Sequence, residues 1–254
     1  MRNDPAPFLH PRPAAAKAER VATDTLEVCL NRLGEFEIPL PIPVEQWIEH
    51  PLGFEFGVED LSRFGDGVLG GSLVYERRIV VDTRVASHEG RFRFTVAHEL
   101  GHMLMHPSLG RVFLESESPQ DPRLQHIERQ ADRFAAAFLM PLPLVMRELF
   151  HICDRNRLER RACIVELLCD SPASEWLWRT RFLPAITRRF GVSLSAAVLR
   201  FQDVRLRGDR QPFMPHAIAR RALKARWQRS PVPEFRIVEG KPVAADGRCE
   251  STLF

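Results

Sequence analysis

Apolar positions recur along this chain with two periods, and the changes between them predict its elements. Val21, Leu26, Cys29, Leu30 and Leu33 fall at helical spacing, and Gly34 stands where a left-handed residue would close that helix. Pro39, Pro41 and Pro43 make an extended connector, followed by a short helix over 44–50. Residues 54–58 read as a strand, and Val68–Tyr75 with Arg78–Asp82 as a hairpin turning at Glu76-Arg77. A polar loop, Ala86 to Arg91, then leads into a run in which Phe94, Val96, Ala97, Leu100 and Leu104 give a buried-helix pattern. Pro107 ends that helix near His106. A second long helix starts at Asp121-Pro122, where Asp caps and Pro takes the first helical position. Its apolar face (Ile127, Ala131, Phe134, Ala135, Phe138, Leu139) is continuous and stops before Pro141 and Pro143.

The remainder is mostly helical by pattern. Residues 144–178 read as helix, Leu183–Phe201 as two short helices about Phe190-Gly191-Val192-Ser193, and Pro215–Trp227 as a basic amphipathic helix. Phe235–Val238 and Pro242–Ala245 suggest a last small hairpin. Residues 1–18, with Pro5, Pro7, Pro11 and Pro13, are expected to be disordered.

Composition narrows the class. The 254 residues have the balance of a globular protein, with no stretch that reads as a signal peptide or a bilayer span, so a cytoplasmic location without membrane attachment is expected. Five widely spaced cysteines (Cys29, Cys153, Cys163, Cys169, Cys249) suit reduced thiols, not a disulfide scaffold or a cysteine zinc site. The net charge of +3 conceals an uneven distribution, because residues 179–229 carry 13 basic and 2 acidic side chains. Such a block is commonly a solvated face, but Arg188, Arg189, Arg220 and Arg221 are its candidate contacts for a polyanion or an acidic partner.

Chemistry concentrates in the first long helix, where the apolar run is broken by His98, Glu99 and His102. Histidines four residues apart lie about 6 Å along a helix axis and roughly 40° around it, so both imidazoles leave one face. Zinc takes imidazole nitrogens at about 2.0–2.1 Å, and two such ligands need a third from the protein and a water. Glu99 then stands beside the open position as general base, the role this spacing carries in metalloproteases.

His106 continues the ladder, but about 12 Å along the axis from His98 it is too distant to share an ion from a straight helix, so a supporting role is expected. Glu128 on the second helix is the better third ligand. It follows His102 by 26 residues, room for a loop and an antiparallel return. Asp132, at i+4 from Glu128, can accept a hydrogen bond from the far nitrogen of a ligating histidine and fix its tautomer. Glu115, Glu117 and Asp121 are alternative ligands in a less preorganised loop, while His126 points away from Glu128.

These blocks resemble the ImmA/IrrE-type zinc metallopeptidases. The likeness rests on Arg91 to His102 with His106 after it, on Glu128 to Pro141, and on Phe190-Gly191-Val192-Ser193 with Ala196, Ala197 and Arg200. It runs over roughly residues 20–205. It implies an α+β fold: a small gluzincin-like (zincin) domain with a short sheet, an active-site helix and a second ligand-bearing helix, and a mainly helical C-terminal part. The expected organisation is a disordered 1–18, a peptidase domain over 19–205, and an appendage of basic helix and hairpin over 206–254. By the same resemblance His98, His102 and Glu128 bind zinc, or another divalent ion, and Glu99 is the catalytic base. The substrate is a protein such as a transcriptional repressor, in stress responses, mobile-element control or toxin-antitoxin systems.

The mechanism so implied is hydrolysis by a metal-activated water without a covalent intermediate. Tyr75 and His88 are the nearest candidates in sequence for an oxyanion or substrate contact. An extended substrate could pair with an exposed strand edge of the hairpin. The alternative is a DNA-binding or partner-binding regulator with a structural metal, since Ile186–Arg200 resembles a helix-turn-helix. Against it, the presumed second helix is mostly apolar, with few side chains able to reach base edges.

Overall fold

The computed structural model describes residues 8–65, 67–107, 113–114, 122–224 and 234–245. The predicted first helix is present as α1 (Ala16–Leu33), preceded by strand β1 (Leu9–Pro11). Gly34 closes α1 at φ 69°, its N–H bonded to Leu30 O, as the αL stop signal requires. The helix buries Ala18, Ala22, Leu26 and Cys29 along one stripe. Residues 8–18, expected to be disordered, therefore carry regular structure, and residues 1–7 lie outside the described residues. Pro11 sits in a sheet of only two strands, where a missing donor is tolerated.

Next come α2 (Val44–Glu49), β2 (Glu55–Glu59), β3 (Gly70–Leu73), β4 (Arg78–Asp82), α3 (Glu89–Met105), β5 (Phe113–Leu114) and α4 (Pro122–Leu139). The sheet order is β2-β4-β3-β5, with β2 parallel to β4 and the other pairs antiparallel. Both hairpin strands are thus interior, flanked by β2 and β5, which corrects the expectation of an exposed hairpin edge for substrate. At the end of β4 the fully buried Asp82 carboxylate accepts from Leu61 N at 2.7 Å and Arg84 N at 2.8 Å. The Arg84 guanidinium binds it at 2.6 Å and holds its pKa down at about 2, winning over burial. One carboxylate thereby fixes the segments that follow two adjacent parallel strands, β2 and β4.

Residues 13–141 with 187–196 form one of two compact units. Its interior is made where α3 meets α4 and the sheet: Val96, Ala97, Leu100, Phe134 and Phe138 are fully buried with Ile79 and Val81. Phe134 stacks on Phe138, and Trp47 of α2 meets Phe138 edge-on.

The other unit is Met1–Arg12, Leu142–Ile186 and Ala197–Phe254. This division differs from the expected 19–205 and 206–254. The stretch read as helix over 144–178 is three helices, α5 (Leu142–Arg155), α6 (Arg160–Leu167) and α7 (Pro172–Leu177), and a π-type turn (Trp178–Phe182) follows. After α8 (Leu183–Phe190) and α9 (Leu194–Asp203), β6 (Val204–Leu206) pairs with β1 across almost the whole sequence. Helix α10 (His216–Ala222) ends before the predicted Trp227, which lies outside the described residues. Strands β7 (Phe235–Val238) and β8 (Lys241–Ala244) make the predicted hairpin. Trp178 anchors this unit, packed on Phe201 and Phe213 and donating from Nε1 to Leu167 O at 3.0 Å. The whole is α+β with small sheets and a mainly helical C-terminal part.

Candidate functional site

Helix α3 is amphipathic only at its start; from Thr95 to Met103 every residue is buried. Such an environment normally excludes ionisable groups, yet it contains His98, Glu99 and His102, 2, 0 and 1% exposed. Buried polar groups of that kind must have partners, which α4 supplies for the two histidines and β3 for Glu99. A Cβ on Gly101 would stand 3.0 Å from Phe134 Cδ1 and 3.2 Å from Ala131 Cα, so the absence of a side chain lets the two helices approach closely there. One turn before Gly101 lies His98, and one turn before Ala131 lies Glu128.

At this seam the donor atoms of His98, His102 and Glu128 all lie within 4.8 Å of one another. The two Nε2 atoms are 2.9 Å apart, and Glu128 Oε2 is 3.1 Å from His98 Nε2 and 3.5 Å from His102 Nε2. Four donors held tetrahedrally about 2.0–2.1 Å from zinc are spaced by about 3.3 Å. The three separations bracket that spacing.

Protonation agrees with ligation. His98 Nδ1 is 2.9 Å from Asp132 Oδ1, and because an ionised carboxylate only accepts, Nδ1 carries the proton. With Nδ1 so engaged, Nε2 is the His98 atom left to face Glu128 Oε2 at 3.1 Å, and it is the atom available to an ion. Burial pushes the His102 pKa below its usual value, keeping the imidazole neutral. For Glu128 burial acts upward, but hydrogen bonds with His102 and His98 outweigh it and bring the carboxyl to about 2. The residues present fit a divalent ion of zinc's chemistry.

A further group of side chains lies beside the cluster. His106, 6% exposed, bonds Gln130 Oε1 of α4 at 3.0 Å, and its ring packs 5.3 Å from that of His102. Gln130 Nε2 in turn donates to His126 at 2.7 Å, so His126 belongs to this brace and not to the ligand set. Glu115, Glu117 and Asp121 lie outside the described residues.

Glu99 faces the sheet. Ser72 Oγ of β3 lies 2.5 Å from Glu99 Oε2 and 2.9 Å from its backbone oxygen, both groups fully buried. Sequence reasoning missed Ser72 because a serine in a strand carries no signal until the strand is laid on α3. The adjacent Gly70-Gly71 was the available clue, since small residues inside a strand mark a close backbone approach.

The other candidates are not brought to the cluster. Tyr75 is 84% exposed in the β3–β4 turn, three residues beyond Ser72. His88 precedes α3, about 15 Å along the axis from His98, and bonds Ser87 Oγ at 2.8 Å. Arg188 and Arg189 are exposed on α8, and Arg220 is exposed on α10. Arg221 is occupied by Asp170 at 2.6 Å and Glu175 at 2.7 Å. On α9, Arg200 is 1% exposed and Ala196, Ala197, Val198 and Phe201 are buried, leaving Ser195 as its one exposed side chain.

Compared with families of known proteins, residues 54–202, more than half of the chain, match a peptidase family model described as an IrrE N-terminal-like domain. The matched span holds the whole cluster, α3 and α4 included, but begins after α1, later than the resemblance suggested. Among curated proteins none matches the chain.

Proposed function

The chain belongs to this peptidase family, and we propose that it is a zinc-dependent endopeptidase that cleaves a regulatory protein such as a transcriptional repressor. The observation carrying this reading is the convergence of His98 Nε2, His102 Nε2 and Glu128 Oε2 beside Glu99 of the same helix. When bound, the ion would supply Lewis acidity, lowering the pKa of a water and polarising the scissile carbonyl. Glu99 accepts the proton of that attacking water and returns it to the leaving amine. Asp132 keeps His98 in the tautomer whose Nε2 can ligate. The His106–Gln130 pair braces His102 from its other side. Repressors as substrates rest on the resemblance described above. A cytoplasmic setting fits the described cysteines, which form no disulfide, and no single helix among the described residues is long and apolar enough to cross a membrane. Burial of α9 supports this reading over one in which that helix reads DNA.

The test is incubation of zinc-loaded protein with the repressors encoded beside it, Glu99→Gln serving as control. Cleavage should vanish in the variant while zinc stoichiometry and melting temperature persist. A variant that cleaves like the wild type would sink the mechanism.

A further inference from the structure

Glu99 is fully buried, and one short strand lies against both of its carboxylate oxygens. Ser72 has a single hydroxyl proton and faces two acceptors of Glu99, the carboxylate Oε2 at 2.5 Å and the main-chain oxygen at 2.9 Å. The shorter contact is to the ionisable group, which makes the stronger acceptor. Two residues earlier, on the same face of β3, Gly70 lies directly against the other carboxylate oxygen. A Cβ there would be 2.5 Å from Glu99 Oε1 and 3.0 Å from both Glu99 Cγ and Thr95 Cγ2. The strand therefore grips Oε2 with a hydroxyl and makes room for Oε1 by omitting a side chain. Alternation along a strand puts residues 70 and 72, and not 71, on that face.

A general base has to hold one carboxylate oxygen at a fixed place, and a glutamate has three torsions with which to lose it. Misplacement of about 1 Å can cost on the order of 100-fold in rate. Resting on the peptidase reading, we infer that Ser72 and Gly70 form a positioning device for the base Glu99, Ser72 fixing Oε2 and Gly70 providing the space Oε1 occupies. Ser72 is a positioning residue, since its hydroxyl acts through Glu99. Strand β3 thus takes a part in the site beyond framing it.

The experiment compares Ser72→Ala, Ser72→Thr and Gly70→Ala with wild type, each zinc-loaded, on a substrate whose cleavage Glu99→Gln abolishes. Ser72→Ala should lower kcat by about 10- to 100-fold with KM within about twofold, the range seen when an outer partner of a site residue is removed. Ser72→Thr, which keeps the hydroxyl, should restore most of the loss. Gly70→Ala keeps Ser72 yet crowds Oε1, and should lower kcat similarly. A second readout does not need turnover: acetohydroxamate, which chelates the ion and hydrogen-bonds a neighbouring carboxylate, should bind Ser72→Ala more weakly while competition with a chelator shows unchanged zinc affinity. Circular dichroism and melting temperature report whether each variant folds, and the Ser72→Thr and Gly70→Ala pair decides if Ser72→Ala does not. Wild-type kcat and hydroxamate affinity in both Ser72→Ala and Gly70→Ala overturn the inference alone. Absence of cleavage by the wild type overturns the peptidase reading and this inference with it.

Discussion

The α3–α4 seam and the basic stretch over 179–229 both concentrate ionisable side chains, and they use them in opposite ways. At the seam four groups from two helices converge on a few ångströms, each facing another: His98 on Asp132 and Glu128, His102 on Glu128. In the basic stretch the charges disperse. Arg221 is tied to Asp170 and Glu175, Arg205 donates to Asp209 O at 2.8 Å, and Arg181 lies 4.9 Å over the Trp176 ring. Arg188 and Arg189 stand in solvent and Arg200 is buried. Charge density along a sequence therefore locates no site, whereas spacing that puts a few groups on one helical face does. The physical reason is desolvation: groups taken out of water must find partners, and groups left in it need none.

Removing a converging group should have the largest effect of any change in the molecule. For His98→Ala or Glu128→Ala, zinc affinity measured by equilibrium dialysis should fall by more than about 100-fold and cleavage should be lost. The supporting carboxylate sets the lower bound, since Asp132→Ala should cost about 10- to 100-fold. Equal effects from Asp132 and the three donors would mean that the cluster has been divided wrongly into ligands and support.

Acid should act on the same groups. Burial holds the His102 and His106 pKa values below the ordinary 6.5. Below that value the unfolded chain takes up protons that the folded chain refuses, so stability contributed by these residues is present above it and falls as pH drops from there toward the depressed values. Glu128 adds to this only in stronger acid, between its ordinary 4.5 and about 2. The zinc-free protein should melt at progressively lower temperature from pH 7 to pH 5.5, and the loaded protein should release metal over the same interval. A melting temperature flat across that interval would show the histidines to be titrating as they do in water.

Convergence without a metal should also matter, though less. Asp82→Ala strips Leu61 N–H and the Arg84 guanidinium of one buried acceptor, and should cost about 2–3 kcal/mol in denaturant unfolding. In wild type the Asp82 contribution is present above pH 3.8 and disappears as pH falls through about 2. Arg221→Ala, which breaks two half-exposed pairs, should cost less than about 1 kcal/mol. If the order were reversed, burial would not be what separates the two regions.

Much of the seam could be read from sequence because each signal was local. Helical spacing set His98 beside His102, the apolar face of 127–139 demanded packing, and Gly34 and Pro107 marked ends where α1 and α3 do end or nearly so. What could not be read was pairing between distant residues. Nothing in Glu55–Glu59 says that it runs parallel to Arg78–Asp82 and not beside Gly70–Leu73, and nothing in Phe113–Leu114 announces its pairing with Gly71 and Ser72. The prolines of the first segment implied disorder because a lone strand rich in proline is unstable, but β6 from the far end of the chain gives β1 its partner. Ser72 was invisible for the same reason: its role is defined by the helix beneath it, not by its neighbours in sequence.

The smallest effect expected is also the sharpest check on the dispersed charges. Arg188 and Arg189 are exposed on α8, where a charge gains little from its surroundings and its loss is compensated by water. Replacing both by Gln should change stability by no more than about 0.5 kcal/mol. Cleavage of a protein substrate should likewise stay within about twofold of wild type at physiological salt, where screening over about 8 Å leaves only groups in direct contact able to matter. If substrate binding instead weakened by roughly tenfold or more, and the loss disappeared at high salt, these two arginines would be a docking surface for an acidic substrate. The contrast between a converged site and a merely solvated basic stretch would then fail at that point of the chain.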